Sequence, residues 1–284
     1  SGANINNNPE GVDFQYEWDP LPQRFHVQWL TVKPFYMDKH PVTQGQFAAY
    51  LQGSGKAALQ ESLADPYHYL WNWDWSDKAQ PKPHPGNETM PVTYVGLDEA
   101  RGYCKSLGKR LPREEEWQFS AHGPNSTQKF PWGSLANASL MPKQVSGTTI
   151  PGPAPVGSYS PAGDSAYGVA DLLGNVWQYT DEHQDDHTRS VCLRGGSNYR
   201  PAGSHWYFPN TADLLTHEKY FLMSAAYERA GTIGFRCAQD LPVAEQEICT
   251  DALCAWLGDR SARSVRSREL DNSARAAPVT LGLG

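Results

Sequence analysis

Glycine and proline interrupt this chain so often that its helices and strands must be short. The 284 residues include 25 glycines and 22 prolines, which favour turns and end helices. Ten tryptophans and 14 tyrosines supply much of the side-chain area available for burial. These features exclude a helical bundle and indicate a loop-rich globule, best described as one large domain with a tail.

The balance of charge argues against two classes of partner. The formal net charge is −7 and the isoelectric point is about 5.7, and the body of the chain holds no basic run, which disfavours nucleic acid. No segment approaches the roughly 18 consecutive apolar residues of a membrane-spanning helix. We therefore expect neither a nucleic-acid partner nor a membrane span.

The first elements follow from alternation and capping. Alternating apolar and polar residues predict strands at 25–32 and 35–37. Thr43 is a good N-cap for a helix that continues to Leu51 and is closed by Gly53.

Three further elements are predicted between residues 91 and 121. A strand is expected at 91–95, followed by a helix at 99–107 with Asp98 as its cap. A third helix is expected at 111–121. In that helix the triplet Glu114–Glu116 is interpreted as stabilising the N-terminus through the helix dipole, in preference to forming a catalytic cluster.

Residues 60–89 include the aromatic run YHYLWNWDWSDKAQPKPHPGNE, which has neither helical nor strand periodicity. We interpret it as a structured loop. Because large exposed apolar patches are rare, most of these rings should cover the core, with an exposed sugar-stacking platform as the sharper alternative.

Composition divides the chain into three parts. Residues 1–14 are polar and aperiodic and predict an extended or disordered lead-in, and residues 15–240 form the predicted domain. Residues 241–284 predict a tail, with one short helix at 248–257 and then a mobile segment rich in Arg, Ser and Ala.

Four motifs in a fixed order carry a resemblance to a known family. They are PVTYVGLDEARGYCKSLGKRLPREEEWQFSA (91–121), LLGNVWQYTDE (172–182), LRGGSNYRP (193–201) and GTIGFRCA (231–238). In this order they resemble the sulfatase-modifying factors, the family that includes the formylglycine-generating enzymes. The resemblance covers roughly residues 15–240 and implies an α+β, C-type-lectin-like fold that is rich in loops. The Gly-Gly-x-Phe-x-Met-Gly strand with which family members usually begin is absent.

The resemblance also implies a disulfide between Cys104 and Cys237, because the family brings these two motifs together. Two buried thiols in a reducing compartment are the alternative.

Formylglycine-generating enzymes bind copper through two cysteines, with four residues between them, shortly after the Gly-Gly-Ser element. In this chain Arg200 and His205 stand at those positions. A guanidinium cannot ligate a cation, so we expect no copper and no copper-thiolate chemistry. Thr232 also replaces the Asn that those enzymes carry before the Gly-Phe-Arg element.

The cleft implied by the resemblance would instead present polar and aromatic side chains to a ligand. These candidates are Ser197, Asn198, Tyr199, Arg200, His205, Trp206 and Tyr207. Arginine among aromatic rings is suited to a peptide, a carboxylate or a sugar.

A calcium site of the family aligns with Asn175, the backbone of Val176, and Gln178. Gln178 stands in place of the usual Glu, so binding should weaken or vanish unless Asp171 or Asp181 compensates. A polar turn buried beside Trp177 explains the same residues equally well.

Two other sets of residues could bind a metal. His183 and His187 in the acidic segment 181–187 would share one face of a helix, although a solvated acidic loop fits the segment better. Cys249 and Cys254 have the spacing of the copper pair but follow the family motifs, so joint metal binding there would need a loop.

Three acceptor sequons, beginning at Asn87, Asn125 and Asn137, would suit a secreted or periplasmic protein. The odd number of cysteines leaves the compartment undecided.

Two functional classes remain. The first is a ligand-binding module of the family that has lost its copper pair. The second is an oxidoreductase with a histidine-based metal centre, for which His205 with His183 or His187 is the best available set of ligands.

Overall fold

A computed structural model describes residues 28–64, 67–124, 128–147, 152–183, 190–201, 214, 218–222, 229–241, 273–276 and 280–283. The helices are α1 (Gln44–Gln52), α2 (Lys56–Ser62), α3 (Leu97–Ser106) and α4 (Glu114–His122), with a 3-10 turn at Ala138–Leu140. The strands are β1 (Gln28–Thr31), β2 (Phe35–Asp38), β3 (Val145–Gly147), β4 (Trp177–His183), β5 (Ser190–Arg194), β6 (Tyr199–Pro201), β7 (Glu218–Leu222), β8 (Ile233–Gly234), β9 (Ala238–Asp240), β10 (Ser273–Ala276) and β11 (Thr280–Leu283).

Within the described residues, the short strands pair into four small sheets. The largest has the order β7-β5-β4-β8, in which β8 runs parallel to β4 and the other pairs are antiparallel. The second has the order β10-β2-β9, and the pairs β1-β11 and β3-β6 complete the set. The predicted α+β, loop-rich C-type-lectin-like architecture is confirmed. No helix among the described residues is long and apolar enough to cross a membrane.

The first predicted helix is confirmed together with its cap. The Thr43 hydroxyl accepts a hydrogen bond from the Gln46 amide at 3.2 Å, and the Gln46 side chain accepts one from the Thr43 amide at 2.9 Å. This reciprocal capping box satisfies two of the backbone donors that every helix start leaves unpaired.

The second and third helices were predicted correctly in kind but not in their starts. The prediction that Asp98 caps α3 is wrong, because Gly96 occupies the cap and the Glu99 carboxylate accepts from its amide at 2.6 Å. The third helix begins at Glu114, three residues later than predicted, because a residue that precedes proline, here Leu111, avoids the helical conformation.

The predicted strand at 91–95 does not form as a regular strand: Pro91 forms a bridge with Thr43, and Tyr94 has a left-handed φ of 59°. The Val92 amide donates to the Val42 carbonyl at 2.8 Å, and the Tyr94 amide donates to the Ala230 carbonyl at 3.1 Å. These bonds go to two different segments, so no regular ladder forms.

Strands β10 and β11 lie in the segment where composition predicted a mobile tail. They pair antiparallel with β2 and β1. The predicted helix at 248–257 and the lead-in at 1–14 lie outside the described residues.

The Cys104–Cys237 disulfide is present and joins α3 to the residue that precedes β9. Both cysteines are fully buried within the larger of two apolar clusters. That cluster gathers α1, α3 and the four-stranded sheet, with Phe47 and Tyr103 stacked at 5.6 Å and both packed on Phe235. The second cluster packs α4 against β2 and residues 169–173.

Candidate functional site

The Gly-Gly-Ser element after β5 packs directly on residues 172–175. The Gly174 amide donates to the Gly195 carbonyl at 2.8 Å, and the Asn198 amide donates to the Asn175 carbonyl at 3.3 Å. Gly195 has a φ of 95°, and a Cβ there would lie 2.7 Å from the Leu172 carbonyl oxygen. Glycine is therefore required for this close approach.

The residues that follow are tied to the segment 145–154. Asn198 donates from Nδ2 to the Gly152 carbonyl at 2.9 Å, and the Tyr199 hydroxyl donates to the Gly147 carbonyl at 2.9 Å. Strand β6 pairs in parallel with β3, which sets Arg200 opposite Ser146. These contacts join residues 197–201 to strand β3 and to Gly152, and we call the joined residues the wall.

The described residues include only part of the predicted ligand-binding set. Ser197 and Asn198 are buried, with 2% and 7% of their surface exposed, and Tyr199 is half-buried. Arg200 is described for its backbone in β6, while His205, Trp206 and Tyr207 lie outside the described residues. Their contact with a ligand stays a prediction.

The residues aligned with a calcium site are occupied by protein contacts. Asn175 accepts from the Ala154 amide at 2.9 Å and donates to the Ala154 carbonyl at 3.0 Å. Gln178 accepts at Oε1 from Trp117 at 3.0 Å and from Arg236 at 2.7 Å, and donates from Nε2 to the Asp171 carbonyl at 2.9 Å. Val176 is fully buried beside them.

This donor set does not fit a calcium ion. The Gln178 oxygen already faces a guanidinium, which repels a second cation, and calcium needs several oxygens including carboxylate. The Asp171 carboxylate accepts from the Gly157 amide at 2.6 Å, and Asp181 pairs with Arg101 at 2.9 Å. Each of these carboxylates therefore already has a protein partner, and calcium binding stays a prediction.

Arg236 is the buried centre of this region. Its Nη1 donates to the Asp38 and Lys39 carbonyls, both at 3.0 Å, and its Nη2 donates to the Ala170 and Asp171 carbonyls at 2.7 and 3.1 Å. Its Nε donates to Oε1 of Gln178, so every nitrogen of the guanidinium donates to an uncharged oxygen. Burial lowers the pKa of Arg236 to about 10, opposed by the charges of Asp171, Asp38 and Asp164.

The Glu114–Glu116 triplet supports the fold. Glu116 accepts from the Arg113 amide at 2.8 Å at the start of α4, and pairs with Arg110 through two contacts of 2.7 Å. Glu114 pairs with the buried Arg194 of the LRGGS motif. These contacts agree with the structural interpretation of the triplet.

His183, the described member of the histidine pair, lies on a strand and not on a helix. Residues 181–183 are the end of strand β4, and His187 lies outside the described residues, as do Cys249 and Cys254. No group of three His, Cys, Asp or Glu side chains that could hold a metal occurs in the described ranges. Cys192, fully buried in β5, is not part of a disulfide.

The aromatic passage divides between core and surface. Tyr69 and Trp73 are 3% exposed, whereas Tyr67 and Trp71 are 48% and 68% exposed. The His68 ring lies between these exposed rings, with centroid distances of 4.1 Å to Tyr67 and 5.3 Å to Trp71. The expectation that most rings of this passage are buried holds for Tyr69 and Trp73 and fails for Tyr67 and Trp71.

Sequence reasoning missed the roles of Arg236, Arg194 and Arg229. Each is almost fully buried, and Arg229 pairs with Glu99 and lies 5.0 Å from the Tyr69 ring. The available signal was an arginine placed inside an apolar motif, as in GTIGFRCA and VCLRGG. A buried arginine at such a position needs hydrogen-bond acceptors from the residues packed around it.

Comparison with known proteins agrees with this architecture. Residues 10–241 match the family model described as "Sulfatase-modifying factor enzyme 1-like domain". Inactive C-alpha-formylglycine-generating enzyme 2 of Bos taurus is 31% identical over 207 residues, which is 60% of this chain and 67% of that protein. Formylglycine-generating enzyme of Mycobacterium tuberculosis is 26% identical over 296 residues, covering 77% of this chain and 92% of its own length.

Of two further matches, one covers less than half of the relative and the other shows the fold alone. Hercynine oxygenase of Mycolicibacterium smegmatis is 32% identical over 187 residues, covering 60% of this chain and 42% of that protein. The crystal structure of CarF superposes with a TM-score of 0.50 at 17% identity, covering 76% of this chain and 99% of that one, and shows the shared fold.

Proposed function

The chain belongs to the sulfatase-modifying factor enzyme 1-like family, and from that premise we propose that it is a ligand-binding member without copper-thiolate chemistry. The observation that carries the proposal is the replacement of the two expected thiols by Arg200 and His205. An arginine side chain has no lone pair to offer a metal, and Cu(I) prefers thiolates. Cys192, buried inside β5, is not available as a substitute ligand.

The side chains expected in the cleft after Gly195-Gly196-Ser197 indicate the class of ligand. Arg200, His205, Trp206 and Tyr207 combine a fixed cation with aromatic rings, which suits a peptide, a carboxylate or a sugar. The bonds from Asn198 and Tyr199 to the segment 145–154 fix the backbone from which this set begins. A wall that is already ordered loses less conformational entropy on binding.

One relative lends support to the absence of activity in this chain. The Bos taurus protein that is 31% identical carries the word inactive in its name. For this chain we infer the lack of formylglycine-generating activity separately, from the residues at positions 200 and 205.

The activity test uses a cysteine-containing peptide of the sulfatase type with copper, oxygen and a reductant. Mass spectrometry should find no conversion of the cysteine to an aldehyde, while an active formylglycine-generating enzyme converts the same peptide. Aldehyde formation by the purified chain would reject the proposal.

A paired variant tests the reason for inactivity. Arg200→Cys combined with His205→Cys restores two thiols at the expected spacing and should take up Cu(I) in competition with a chromogenic chelator. The unmodified chain should take up none. Equal copper uptake by the two proteins would show that the substitutions at 200 and 205 are not the cause.

The binding role is tested by screening peptides, carboxylates and glycosides against the intact chain. Arg200→Ala should weaken any cleft ligand, because it removes the only formal charge of the candidate set at neutral pH, while Arg113→Ala changes a half-exposed arginine at the start of α4 and should not. A ligand that binds both variants equally does not occupy the proposed cleft.

An oxidoreductase with a different metal centre is the second candidate. Its support is the 32% identity with hercynine oxygenase, whose name describes an oxygenase. His205 with His183 or His187 would be the ligands. After incubation with Fe(II) or copper and removal of excess ion, metal analysis should find stoichiometric metal that is lost in His205→Ala. Metal-free protein after this treatment would remove the candidate.

A further inference from the structure

Four aromatic side chains, Tyr67, His68, Trp71 and Tyr94, form a cluster that we call the aromatic cluster. His68 is its centre, stacked on Tyr67 at 4.1 Å and 24°, and edge-on to Trp71 at 5.3 Å and to Tyr94 at 6.4 Å. The cluster reaches the surface at Trp71, of which 68% is exposed, and at Tyr67. None of these residues belongs to the family motif that follows β5.

The backbone beneath the cluster is strained. Four non-glycine residues in the described ranges have left-handed φ values, and three of them are here: His68 at 55°, Leu70 at 46° and Tyr94 at 59°. Side chains other than glycine rarely adopt this conformation, and such strain persists where the surrounding structure enforces it, often at functional sites. Exposed rings and a strained backbone both reduce stability, yet the fold retains both in one place.

The surrounding structure holds the cluster rigidly. Arg229 donates to the Tyr67 carbonyl at 3.2 Å, and the Leu70 amide donates to the Tyr94 carbonyl at 2.9 Å. Trp75 donates from its indole to the Leu70 carbonyl at 3.0 Å. The exposed rings are therefore presented on a fixed base, which reduces the entropy lost when a ligand is bound.

The chemistry of the cluster favours an uncharged ligand with an apolar face and hydroxyl groups. The nearby guanidinium of Arg229 is 7% exposed and paired with Glu99, so it does not offer a site for an anion. The amides of Leu70, Trp71 and Trp73 already donate to carbonyls within the fold, so the loop presents no strand edge to a peptide. The imidazole of His68 can both donate to and accept from a hydroxyl.

We propose that the aromatic cluster is a carbohydrate-binding site, in which a neutral pyranose lays its C–H face on the exposed Trp71 ring and directs hydroxyls toward His68 and Tyr67. This site is additional to the proposed cleft after Gly195-Gly196-Ser197. It does not depend on a metal.

The test uses the whole chain with methyl glycosides of glucose, galactose, mannose and N-acetylglucosamine as probes. Saturation-transfer NMR should show contact through the ring protons of at least one glycoside, and titration should give its affinity. Trp71→Ala should weaken that affinity by about tenfold or more, since loss of an aromatic stacking contact is on the order of a tenfold change. Tyr67→Ala should weaken it to a lesser degree.

Two controls separate binding from folding. Leu135 is 83% exposed and its replacement, Leu135→Ala, removes an equally accessible apolar side chain outside the cluster, so binding should be unchanged. Thermal denaturation should give the same midpoint for Trp71→Ala and the unmodified chain, because the indole is mostly in solvent.

Three results would overturn the proposal. The first is no saturation transfer to any of the four glycosides. The second is equal glycoside affinity in Trp71→Ala and the unmodified chain. The third is binding of a proline-rich peptide, lost in Trp71→Ala, with no glycoside binding. Failure here leaves the cleft proposal standing, because Arg200→Ala tests that site separately.

Discussion

Removing the Cys104–Cys237 disulfide should destabilise the chain more than any other pair of side-chain changes of similar size. The two cysteines are 133 residues apart. On the chain-entropy account, closing a loop of that length contributes about 5 kcal/mol by restricting the unfolded chain. Domains are typically stable by roughly 5–15 kcal/mol, so the double variant Cys104→Ala/Cys237→Ala should lie near the threshold of folding.

The assay is equilibrium denaturation in urea with and without a reductant. The unmodified chain should lose about 5 kcal/mol in its free energy of unfolding when reduced, and the double variant should not respond to the reductant. The matched control is Cys192→Ala, which removes a buried sulfur of the same kind that forms no cross-link. It should cost about 1 kcal/mol, as expected for deletion of one buried atom.

Two results would refute this reasoning. One is an unchanged unfolding curve for the reduced chain after mass spectrometry has confirmed that Cys104 and Cys237 are both free thiols. The other is a double variant that loses no more stability than Cys192→Ala. Either would mean that packing of α3 against Phe235, with Tyr103 at 5.5 Å, holds this junction without the cross-link.

Four other predictions concern the buried polar groups and the surface. Arg236→Lys should lower the free energy of unfolding by about 3–5 kcal/mol in urea denaturation, because an ammonium cannot reach the five oxygens that the guanidinium binds; a loss below 1 kcal/mol would contradict this. Gln178→Glu sets a carboxylate oxygen against the Asp171 carbonyl, where the amide now donates, so it should lower the melting temperature in thermal denaturation, and an unchanged melting temperature would contradict this. Burial lowers the pKa of His40 from 6.5 to about 4; because the unfolded chain then takes up a proton that the folded chain does not, stability should fall as the pH drops from about 6.5 to about 4, and His40→Asn should flatten that part of the curve of melting temperature against pH. Asn137 is exposed and its Oδ1 accepts from the Ser139 hydroxyl at 2.7 Å, so passage through a eukaryotic secretory pathway should leave a glycan there that peptide mapping detects, and Ser139→Ala should abolish it.

Local sequence signals predicted those elements whose stabilising contacts are close in the chain. Thr43 and Gln46 form their capping box within four residues, so α1 could be predicted in full. The start of α3 was misplaced because two acidic residues compete for the same role, and Glu99 rather than Asp98 reaches the Gly96 amide. The pairing of Cys104 with Cys237 was available only through the family resemblance, since five cysteines alone permit many pairings.

Charged residues in the core were harder to predict because their partners come from distant segments. Arg236 binds the backbone of residues 38–39 and 170–171, and Arg229 pairs with Glu99 across 130 positions. No local sequence pattern predicts that these oxygen atoms lie together around an arginine side chain. The same convergence explains why Gln178 is a hydrogen-bonding hub here, although its alignment suggested a metal ligand.

The sequence by itself determined the family, the loop-rich fold class, the cap of α1, and the absence of the two thiols from their expected positions. These are properties of residue identity and of neighbours within a few positions. Only the tertiary structure decided which of the aromatic rings between 67 and 75 are buried, because the run has no periodicity that would assign its rings to an inner or an outer face. It also decided that Asn175 and Gln178 are satisfied by protein groups, since a buried polar atom takes whichever partner the fold brings within reach.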